Sequence, residues 1–215
     1  MEHNVVIDPL MTVKNIPLLE CDINQYQALV FTSVNGLRNF HQQFGAVSKP
    51  LFVVGNKTYN MAKFLGFTDI SSADGDAKKL ATLLKSTLSS KDGAFLYLSA
   101  KHVSQDLDEL LSDSPLDVDR QVIYDIVPAT TLSKESIVAL ENKAIDYIPF
   151  YSERSALIFM EMINKHNLQH YLLSITALCL SKRVADALNQ TDWRDIKTAE
   201  NPRESDLFNL IAVSL

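Results

Sequence analysis

The sequence predicts an α/β protein built from parallel sheets in two related domains. Short apolar runs, rich in β-branched and aromatic residues, alternate along the chain with segments whose apolar residues recur at helical spacing. A strand–turn–helix unit at residues 27–40 also returns at residues 147–159. A unit that recurs about half a chain away indicates two domains of similar construction.

The first copy of this unit shows how its parts are recognised. Ala28 to Phe31 form an apolar run of the length of a buried strand. Thr32, Ser33 and Asn35 then supply oxygens that cap a helix, expected over residues 34–44. The second copy aligns on the first at four positions: Phe31 with Phe150, Ser33 with Ser152, Gly36 with Ser155, and Phe40 with Phe159.

The remaining elements follow the same two patterns. Strands are expected where apolar runs end at turn residues, namely at 5–7, 51–54, 68–70, 94–98, 144–150 and 172–180. Helices are expected where Ser, Asp or Gly precedes apolar residues at helical spacing, namely at 59–65, 77–88, 103–111, 134–142, 152–165, 181–188 and 206–214. Turns at 55–58 and 99–102 separate strands from helices, and Gly66 is expected to end its helix.

Two extended segments bounded by proline predict the domain organisation. Residues 10–17 and 122–128 flank one block of the chain and read as crossings between domains. The first domain is then discontinuous and made of residues 1–9 and 129–215. The second domain covers residues 18–121, and the two crossings form a two-stranded linker.

Composition excludes several classes of protein. The chain has 215 residues, of which 47% are hydrophobic and 21% are charged, as in an ordinary globular protein. No apolar run approaches the ~20 residues of a membrane span, and the first residues lack the pattern of a secretory signal. Cys21 and Cys179 are too few for a disulfide framework, which favours the cytoplasm. A net charge of −6 argues against nucleic-acid binding.

The turns that follow the strands are nevertheless basic. Ligands of open parallel sheets bind outside the carboxyl ends of the strands, where these turns lie. Five turns of four residues each contain five basic residues and a single acid, Glu153. We therefore expect an anionic small ligand, bound across both domains by turn residues and helix amides. The candidate binding residues are Thr32, Ser33, Asn35, Gly55, Asn56, Lys57, Ser99, Lys101, Ser152, Arg154, Ser155, Ser181, Lys182 and Arg183.

Simpler interpretations of the same residues stay open. The basic side chains can be solvated, and the serines and asparagines can serve only as helix caps. No Gly-x-Gly-x-x-Gly is present, so a nucleotide cofactor is not expected. His166 and His170 are four residues apart but have no third ligand nearby in the sequence, so no metal site is expected. Tyr124, in the second crossing, is either a packing residue at the gap between domains or a proton donor.

Taken together, the turns and strands resemble the uroporphyrinogen-III synthase family. The stretches that carry the resemblance are Leu29-Val-Phe-Thr-Ser-Val-Asn-Gly36, Leu51-Phe-Val-Val-Gly-Asn-Lys-Thr58, Asp74-Gly-Asp-Ala77 with Leu80, Phe95-Leu-Tyr-Leu-Ser99, Ile123-Tyr-Asp-Ile-Val-Pro128 and Ile148-Pro-Phe-Tyr-Ser152. The resemblance implies two flavodoxin-like domains joined by a two-stranded linker. It also implies cofactor-free cyclisation of the linear tetrapyrrole hydroxymethylbilane, with inversion of ring D and loss of water.

The resemblance assigns further properties as expectations. It points to Tyr124 as the catalytic acid, to a monomer in tetrapyrrole (heme) biosynthesis, and to a transient contact with the enzyme that makes the bilane. Compared with the family, either the first domain lacks an initial strand and helix or the start of the chain is misplaced, and Ser181-Lys-Arg-Val184 replaces a Gly-Thr turn. The alternatives are a non-catalytic two-domain anion-binding protein, such as a degenerate synthase, and a response-regulator-like domain, which needs acidic strand ends.

Overall fold

A computed structural model describes residues 4–19, 21–103 and 105–212, with residue 212 described by its backbone alone. The chain forms two compact units. Residues 13–127 form one unit, called the central unit below, and residues 1–12 with 128–215 form the other, called the terminal unit.

The central unit is a parallel sheet with helices on both faces. Its strands are β2 (Leu29–Phe31), β3 (Leu51–Val54), β4 (Ile70–Ala73), β5 (Phe95–Ala100) and β6 (Val118–Pro128), and β1 (Met11–Asn15) lies on the far edge of β6. Its helices are α1 (Val34–Phe44), α2 (Gly55–Phe64), α3 (Ala77–Thr87) and α4 (Leu107–Leu110). The strand order is β1-β6-β5-β2-β3-β4, so the order in which strands are added to the sheet reverses between β2 and β5.

Alternating side chains of the central strands fill two separate cores. Leu29 and Phe31 of β2 point to one face, where they pack with residues of α1 and α2. Ala28 and Val30 point to the other face, where they pack with residues of α3 and α4. Because both faces of the sheet are buried, β2 and β3 are apolar at every position, which is why short continuous apolar runs marked them in the sequence.

The terminal unit repeats this construction on a smaller scale. Its strands β7 (Tyr147–Phe150), β8 (Thr176–Cys179) and β9 (Asp195–Thr198) are parallel and adjacent in that order. Its helices are α5 (Lys134–Glu141), α6 (Glu153–Lys165), α7 (Lys182–Asp186) and α8 (Glu204–Ala212). Ala177 and Cys179 face a large core shared with α5, α6 and α7, whereas Leu178 faces a small core that contains Leu207 of α8.

The repeat predicted from the sequence appears in matching side-chain geometry. The rings of Phe31 and Phe40 lie 5.5 Å apart at an angle of 67°, and those of Phe150 and Phe159 lie 5.3 Å apart at 65°. Ser33 and Ser152 both cap the helix that follows their strand. Each unit therefore fixes its strand–turn–helix with one edge-to-face aromatic pair and one serine cap.

The predicted α/β class with parallel sheets is confirmed. In the central unit, β4 adds to the sheet beside β3, on the far side from β2. In flavodoxin itself, the corresponding strand lies on the other side of the first parallel strand. The two predicted crossings include β1 and part of β6. The backbone bonds from Ile16 to Ile123 and from Ala129 to Leu10 show that these two strands are antiparallel.

Several predicted elements are wrong or displaced. Residues 5–7 form no strand, and the side chains of Val5 and Ile7 are 74% and 79% exposed. The helix expected at 103–111 is reduced to α4, because Asp106 caps its start at Leu107. Residues 55–58 are not a separate turn, since α2 begins directly at Gly55.

Other differences concern strand boundaries. The strand expected at 68–70 begins at Ile70, and the strand expected at 144–150 begins at Tyr147. The strand expected from residue 172 begins at Thr176, because Gln169–Ser174 form a 3-10 helix. Strand β9 was not expected, because its sequence Asp-Ile-Lys-Thr has a single large apolar residue. The closing helix begins at Glu204 instead of residue 206, and residues 213–214 of the expected helix lie outside the described residues.

Candidate functional site

A pocket opens at the carboxyl edge of the central sheet, beside the point where the strand order reverses. Its volume is about 290 Å³. Its walls come from the turns after β2, β3, β4 and β5 and from β6, and they consist of Thr32, Ser33, Val54, Asp76, Ala77, Ala100, His102, Val103, Gln105 and Tyr124. This is the place in an open parallel sheet where ligands bind.

Tyr124 is the aromatic residue in the wall of this pocket. It is 4% exposed and belongs to the core between the sheet and α1. Its carbonyl accepts a hydrogen bond of 2.9 Å from the amide of Lys101, which ties the turn after β5 to β6. The side chain is therefore both packed and at the pocket, so the packing and proton-donor interpretations are compatible.

The turn after β2 places two predicted residues in the pocket wall. The hydroxyl of Ser33 accepts a hydrogen bond of 3.1 Å from the amide of Asn35, which is the expected helix cap. The hydroxyls of Thr32 and Tyr97 lie 3.5 Å apart. Thr32 and Ser33 thus reach the pocket, whereas Asn35 contributes its backbone amide to the cap.

The turn after β3 begins α2 without a side-chain cap. Val54 occupies the N-cap position and offers no side-chain oxygen to the first amides of the helix. Gly55 has φ of 74°, a left-handed conformation that glycine adopts without strain. Asn56 and Lys57 are exposed in the first turn. These three predicted residues lie at an uncapped helix start, next to Val54 of the pocket wall.

The turn after β5 differs from the prediction. Ser99 and Ala100 belong to the strand, and Ser99 is 1% exposed. Its hydroxyl donates to the carbonyl of Ala100 at 3.1 Å and accepts from Nε of Arg120 at 3.0 Å. Ser99 is therefore part of a buried network, whereas Lys101, whose ammonium lies 3.9 Å from Asp125, is exposed together with His102.

The turns of the terminal unit hold basic residues in ion pairs. Nε of Arg183 lies 2.6 Å from the carboxylate of Glu153, and Nζ of Lys182 lies 3.1 Å from Asp186. Glu153, Arg154, Lys182 and Arg183 are at the starts of α6 and α7. The excess positive charge counted in the sequence is therefore partly balanced by neighbouring acids.

Serines complete the same edge of the terminal unit. The hydroxyl of Ser152 accepts from the amide of Ser155 at 3.1 Å, and the two hydroxyls lie 2.8 Å apart. Ser181 is the N-cap residue of α7 but makes no side-chain cap bond. The hydroxyl of Tyr151 donates to Glu204 at 3.0 Å, which joins the end of β7 to the start of α8.

Sequence reasoning missed Asp76, Gln105 and Arg120. Asp76 caps α3 through the amides of Lys78 and Lys79, a role that the Asp-Gly-Asp sequence before the helix signals. Gln105 and Arg120 carry no such local signal. Arg120 lies on β6, and its guanidinium donates to Ser99 at the end of β5 and to Asp106 at 2.9 Å.

A second cavity, of about 340 Å³, lies at the amino edge of the terminal sheet. It is lined by Tyr147, Thr176, Arg194, Asp195 and Lys197. The guanidinium of Arg194 is occupied by Thr176, by the carbonyl of Asp146 and by the ring of Tyr147. Although it is the larger cavity, we attribute a structural role to it, because ligands of parallel sheets bind at the opposite edge.

Comparison with known proteins identifies the family. The family model described as uroporphyrinogen-III synthase HemD matches residues 2–209, nearly the whole chain. The chain belongs to the uroporphyrinogen-III synthase family. A search of curated proteins finds no significant match.

A solved structure agrees with this family at the level of the fold. The uroporphyrinogen-III synthetase from Helicobacter pylori 26695 is 19% identical with a TM-score of 0.65, over 96% of this chain and 91% of that chain. A mutant uroporphyrinogen III synthase from Thermus thermophilus is 17% identical with a TM-score of 0.46, over 96% and 87% of the two chains. The wild-type Thermus protein is 18% identical with a TM-score of 0.42, over the same shares.

Within the described ranges, none of the helices combines the length and apolar character needed to cross a membrane. The same part of the chain contains no group of three or more His, Cys, Asp or Glu side chains placed to hold a metal ion. His166 instead lies at the end of α6, with Nε2 3.1 Å from the hydroxyl of Thr131.

The network around Arg120 leads to a pH-dependent prediction for Asp108. Burial, and then the charge of Asp106, raise the pKa of Asp108, and its buried Oδ1 has no hydrogen-bond partner among the described residues. The native state therefore favours the protonated acid, so this contribution to stability is present at low pH and lost as pH rises through the folded pKa. Asp108→Asn should raise the melting temperature at pH 7 by roughly 1–3 °C, and the gain should vanish below about pH 4.

Asp113→Asn is the matched control for this measurement. A hydrogen bond from Lys85 lowers the pKa of the exposed Asp113, so its contribution has the opposite sign and is lost as pH falls. Thermal denaturation of both variants from about pH 3.5 to about pH 8 separates the two signs. A melting temperature of Asp108→Asn that is lower than wild type at pH 7 would show that the charged carboxylate is stabilised in the native state.

Proposed function

We propose that the protein cyclises hydroxymethylbilane to uroporphyrinogen III, with inversion of ring D and loss of water, as a hydro-lyase of tetrapyrrole (heme) biosynthesis. The observation that carries this proposal is the family match over nearly the whole chain. The position of Tyr124 in the pocket at the switch point of the central sheet supports it. The non-catalytic anion-binding protein is the less favoured alternative.

Tyr124 is the proposed general acid. Its hydroxyl donates a proton to the hydroxyl of the bilane as the carbon–oxygen bond breaks, so that water leaves and an azafulvene cation remains. Proton transfer to a poor leaving group lowers the barrier to its departure. A cavity of about 290 Å³ is at the small end for drug-sized ligands, so we assign to it the reacting end of the bilane and not the whole substrate.

Ring closure then depends on the shape in which the substrate is held. The cation must be attacked by the substituted carbon of ring D, which gives a spiro geometry before the ring is released in inverted orientation. Free bilane closes instead at the unsubstituted carbon. Holding the chain in the folded shape is therefore the main catalytic task, and binding of its carboxylates at fixed points performs that task.

The turns of both units supply the proposed carboxylate contacts. The capped helix starts at Ser33 and Ser152 and the uncapped start at Gly55 present oriented amides and positive dipole ends. Exposed ion pairs such as Arg183–Glu153 contribute only about 0–1 kcal/mol each. A substrate carboxylate can therefore replace the protein acid at low cost.

The same proposal includes finer properties of the working protein. We propose a cytoplasmic monomer that contacts the bilane-producing enzyme transiently and uses no cofactor. Both cysteines are free, which suits a reducing compartment. We also propose that residues 1–9 with 129–215 and residues 18–121 act as domains, with 10–17 and 122–128 as linker strands.

The isomer of the product tests the reaction itself. With freshly prepared hydroxymethylbilane, the protein should divert the product from the spontaneous type I isomer to type III. Chromatography of the oxidised porphyrins measures both isomers, and heat-denatured protein is the control. If the mixture with native protein equals the control mixture, the synthase proposal is wrong and the anion-binding alternative gains.

Tyr124→Phe tests the general acid. The ring remains and only the hydroxyl is lost, so fold and product affinity should be retained. Type III turnover should decrease by about 10²-fold, the lower end of the range for a lost general acid, because the bilane loses water and closes even without an enzyme. Tyr124→Ala serves as the comparison, since it also removes the packing. Full turnover of the Phe variant would restrict Tyr124 to a packing role.

The contribution of charge at the turns is tested by binding. Arg183→Ala or Arg154→Ala should weaken binding of the product by about tenfold or more, since one charge-assisted contact is worth about 1.5–3 kcal/mol. Lys91→Ala, at the amino edge of the central sheet, is the matched control. A fluorescence titration measures the affinity for the product. Thermal denaturation measures the stability of each variant. Unchanged affinity in both arginine variants would place the ligand elsewhere.

A further inference from the structure

Asn39 is a buried polar residue whose side chain reaches the strand that carries Tyr124. It lies on α1, is 2% exposed, and donates from Nδ2 to the carbonyl of Ile123. Its Oδ1 accepts from Nε2 of Gln43 at 2.7 Å. Burying an amide is unfavourable unless it is hydrogen-bonded, so an asparagine at a buried position beside the sheet of the central unit needs an explanation.

The carbonyl that Asn39 binds belongs to an irregular residue of β6. In the pairing of β5 with β6, Ser99 lies opposite Val122, whereas Ala100 lies opposite Tyr124. Ile123 is therefore the extra residue of a β-bulge. A bulge bends its strand and redirects the side chains beyond it, because successive residues of a regular strand point to opposite faces.

The bulge changes the face to which Tyr124 points. Ile123 and Tyr124 are adjacent in sequence, yet both pack in the core shared with α1. Without the extra residue, Ala100 would pair with Ile123, and Tyr124 would be directed to the other face of the sheet. The position of Tyr124 at the pocket thus depends on the bulge.

Asn39 and Gln43 satisfy the backbone around this bulge. The carbonyl of Ile123 accepts two hydrogen bonds, from Asn39 and from the amide of Ile16 at 2.8 Å. Oε1 of Gln43 accepts from the amide of Leu18 at 2.9 Å. One helix therefore binds the bulged strand and the segment next to it through side-chain amides.

The same face of α1 contacts the Tyr124 ring and restricts its position. Gly36 lies three residues before Asn39, on the same side of the helix. A Cβ atom at Gly36 would lie 3.4 Å from Cε1 of Tyr124 and 3.3 Å from the carbonyl oxygen of Leu98. Helix α1 thus contacts the Tyr124 ring through Gly36 and donates a hydrogen bond to the carbonyl of Ile123 through Asn39.

We propose that Asn39 is a positioning residue for the reaction: its amide stabilises the β-bulge at Ile123 and so directs Tyr124 into the pocket. Gln43 orients the Asn39 amide and acts with it. This inference rests on the proposed role of Tyr124 as general acid, and it assigns a function to a residue that does not line the pocket itself.

The test compares Asn39→Leu with Gln42→Ala. The leucine side chain has a similar size but offers no donor to Ile123, whereas Gln42 is exposed and bonds to the side chain of Asn15. Asn39→Leu should decrease kcat for type III product by about tenfold to a hundredfold, as expected for misplacement of a reacting group, with KM nearly unchanged. Gln42→Ala should retain both constants. A KM increase at constant kcat in Asn39→Leu would overturn the inference.

A double-mutant cycle separates positioning from general stability. If Asn39 acts through the Tyr124 hydroxyl, Asn39→Leu should cost little in a Tyr124→Phe background. Equal losses in both backgrounds would overturn the inference while leaving the general acid intact. Full turnover by Tyr124→Phe alone would overturn both. Should Asn39→Leu fail to fold, Gln43→Ala, which removes the exposed partner of Asn39, takes its place in the same cycle with a smaller expected loss.

Hydrogen exchange gives a readout that needs no substrate. The amides of Ile16 and Lys101 bond to the carbonyls of Ile123 and Tyr124. Both amides should exchange faster in Asn39→Leu than in wild type, while amides in the middle of β3 should be unaffected. Unchanged protection of Ile16 and Lys101 would show that the bulge does not depend on Asn39.

Discussion

The close approach of α1 to the carboxyl edge of β5 and β6 is the constraint on which the candidate site depends. Gly36 leaves little room for a side chain between the helix and the Tyr124 ring, and Asn39 bonds to the bulged backbone next to it. The turn before α1 is fixed by the same placement of the helix. Ser33 of this turn caps α1, and Thr32 forms part of the pocket wall. A proposed general acid needs rigid support, and here one helix contacts both the Tyr124 ring and the backbone beside it.

The charge of the strand–helix turns is arranged differently in each unit from what the sequence suggests. Basic residues gather in the strand–helix turns, but Arg183, Lys182 and Lys101 lie close to acids of their own units. Exposed pairs of this kind lower the net positive charge of the turns and contribute only about 0–1 kcal/mol each. Under the proposed function, a substrate carboxylate replaces the protein acid at such a turn.

Local signals predicted the elements that local interactions stabilise. Helices α1 and α5 begin where a serine cap precedes helical spacing, and β3 is a continuous apolar run that ends at a glycine. The same logic failed at residues 5–7, where the apolar run pairs with no strand of the described chain. It also missed β9, whose residues become a strand because β8 offers a free edge, and not because of their own preference.

The sequence by itself determined the parallel α/β class, the internal repeat and the family, because periodicity, capping residues and the order of motifs can be read along the chain. The tertiary structure decided the rest. Whether Ser99 is exposed, which acid faces Arg183, and to which side of the sheet Tyr124 points depend on residues distant in sequence. A bulge of one residue reverses the direction of a side chain, and only the pairing of β6 with β5 and its hydrogen bond to Asn39 specify where that residue is inserted.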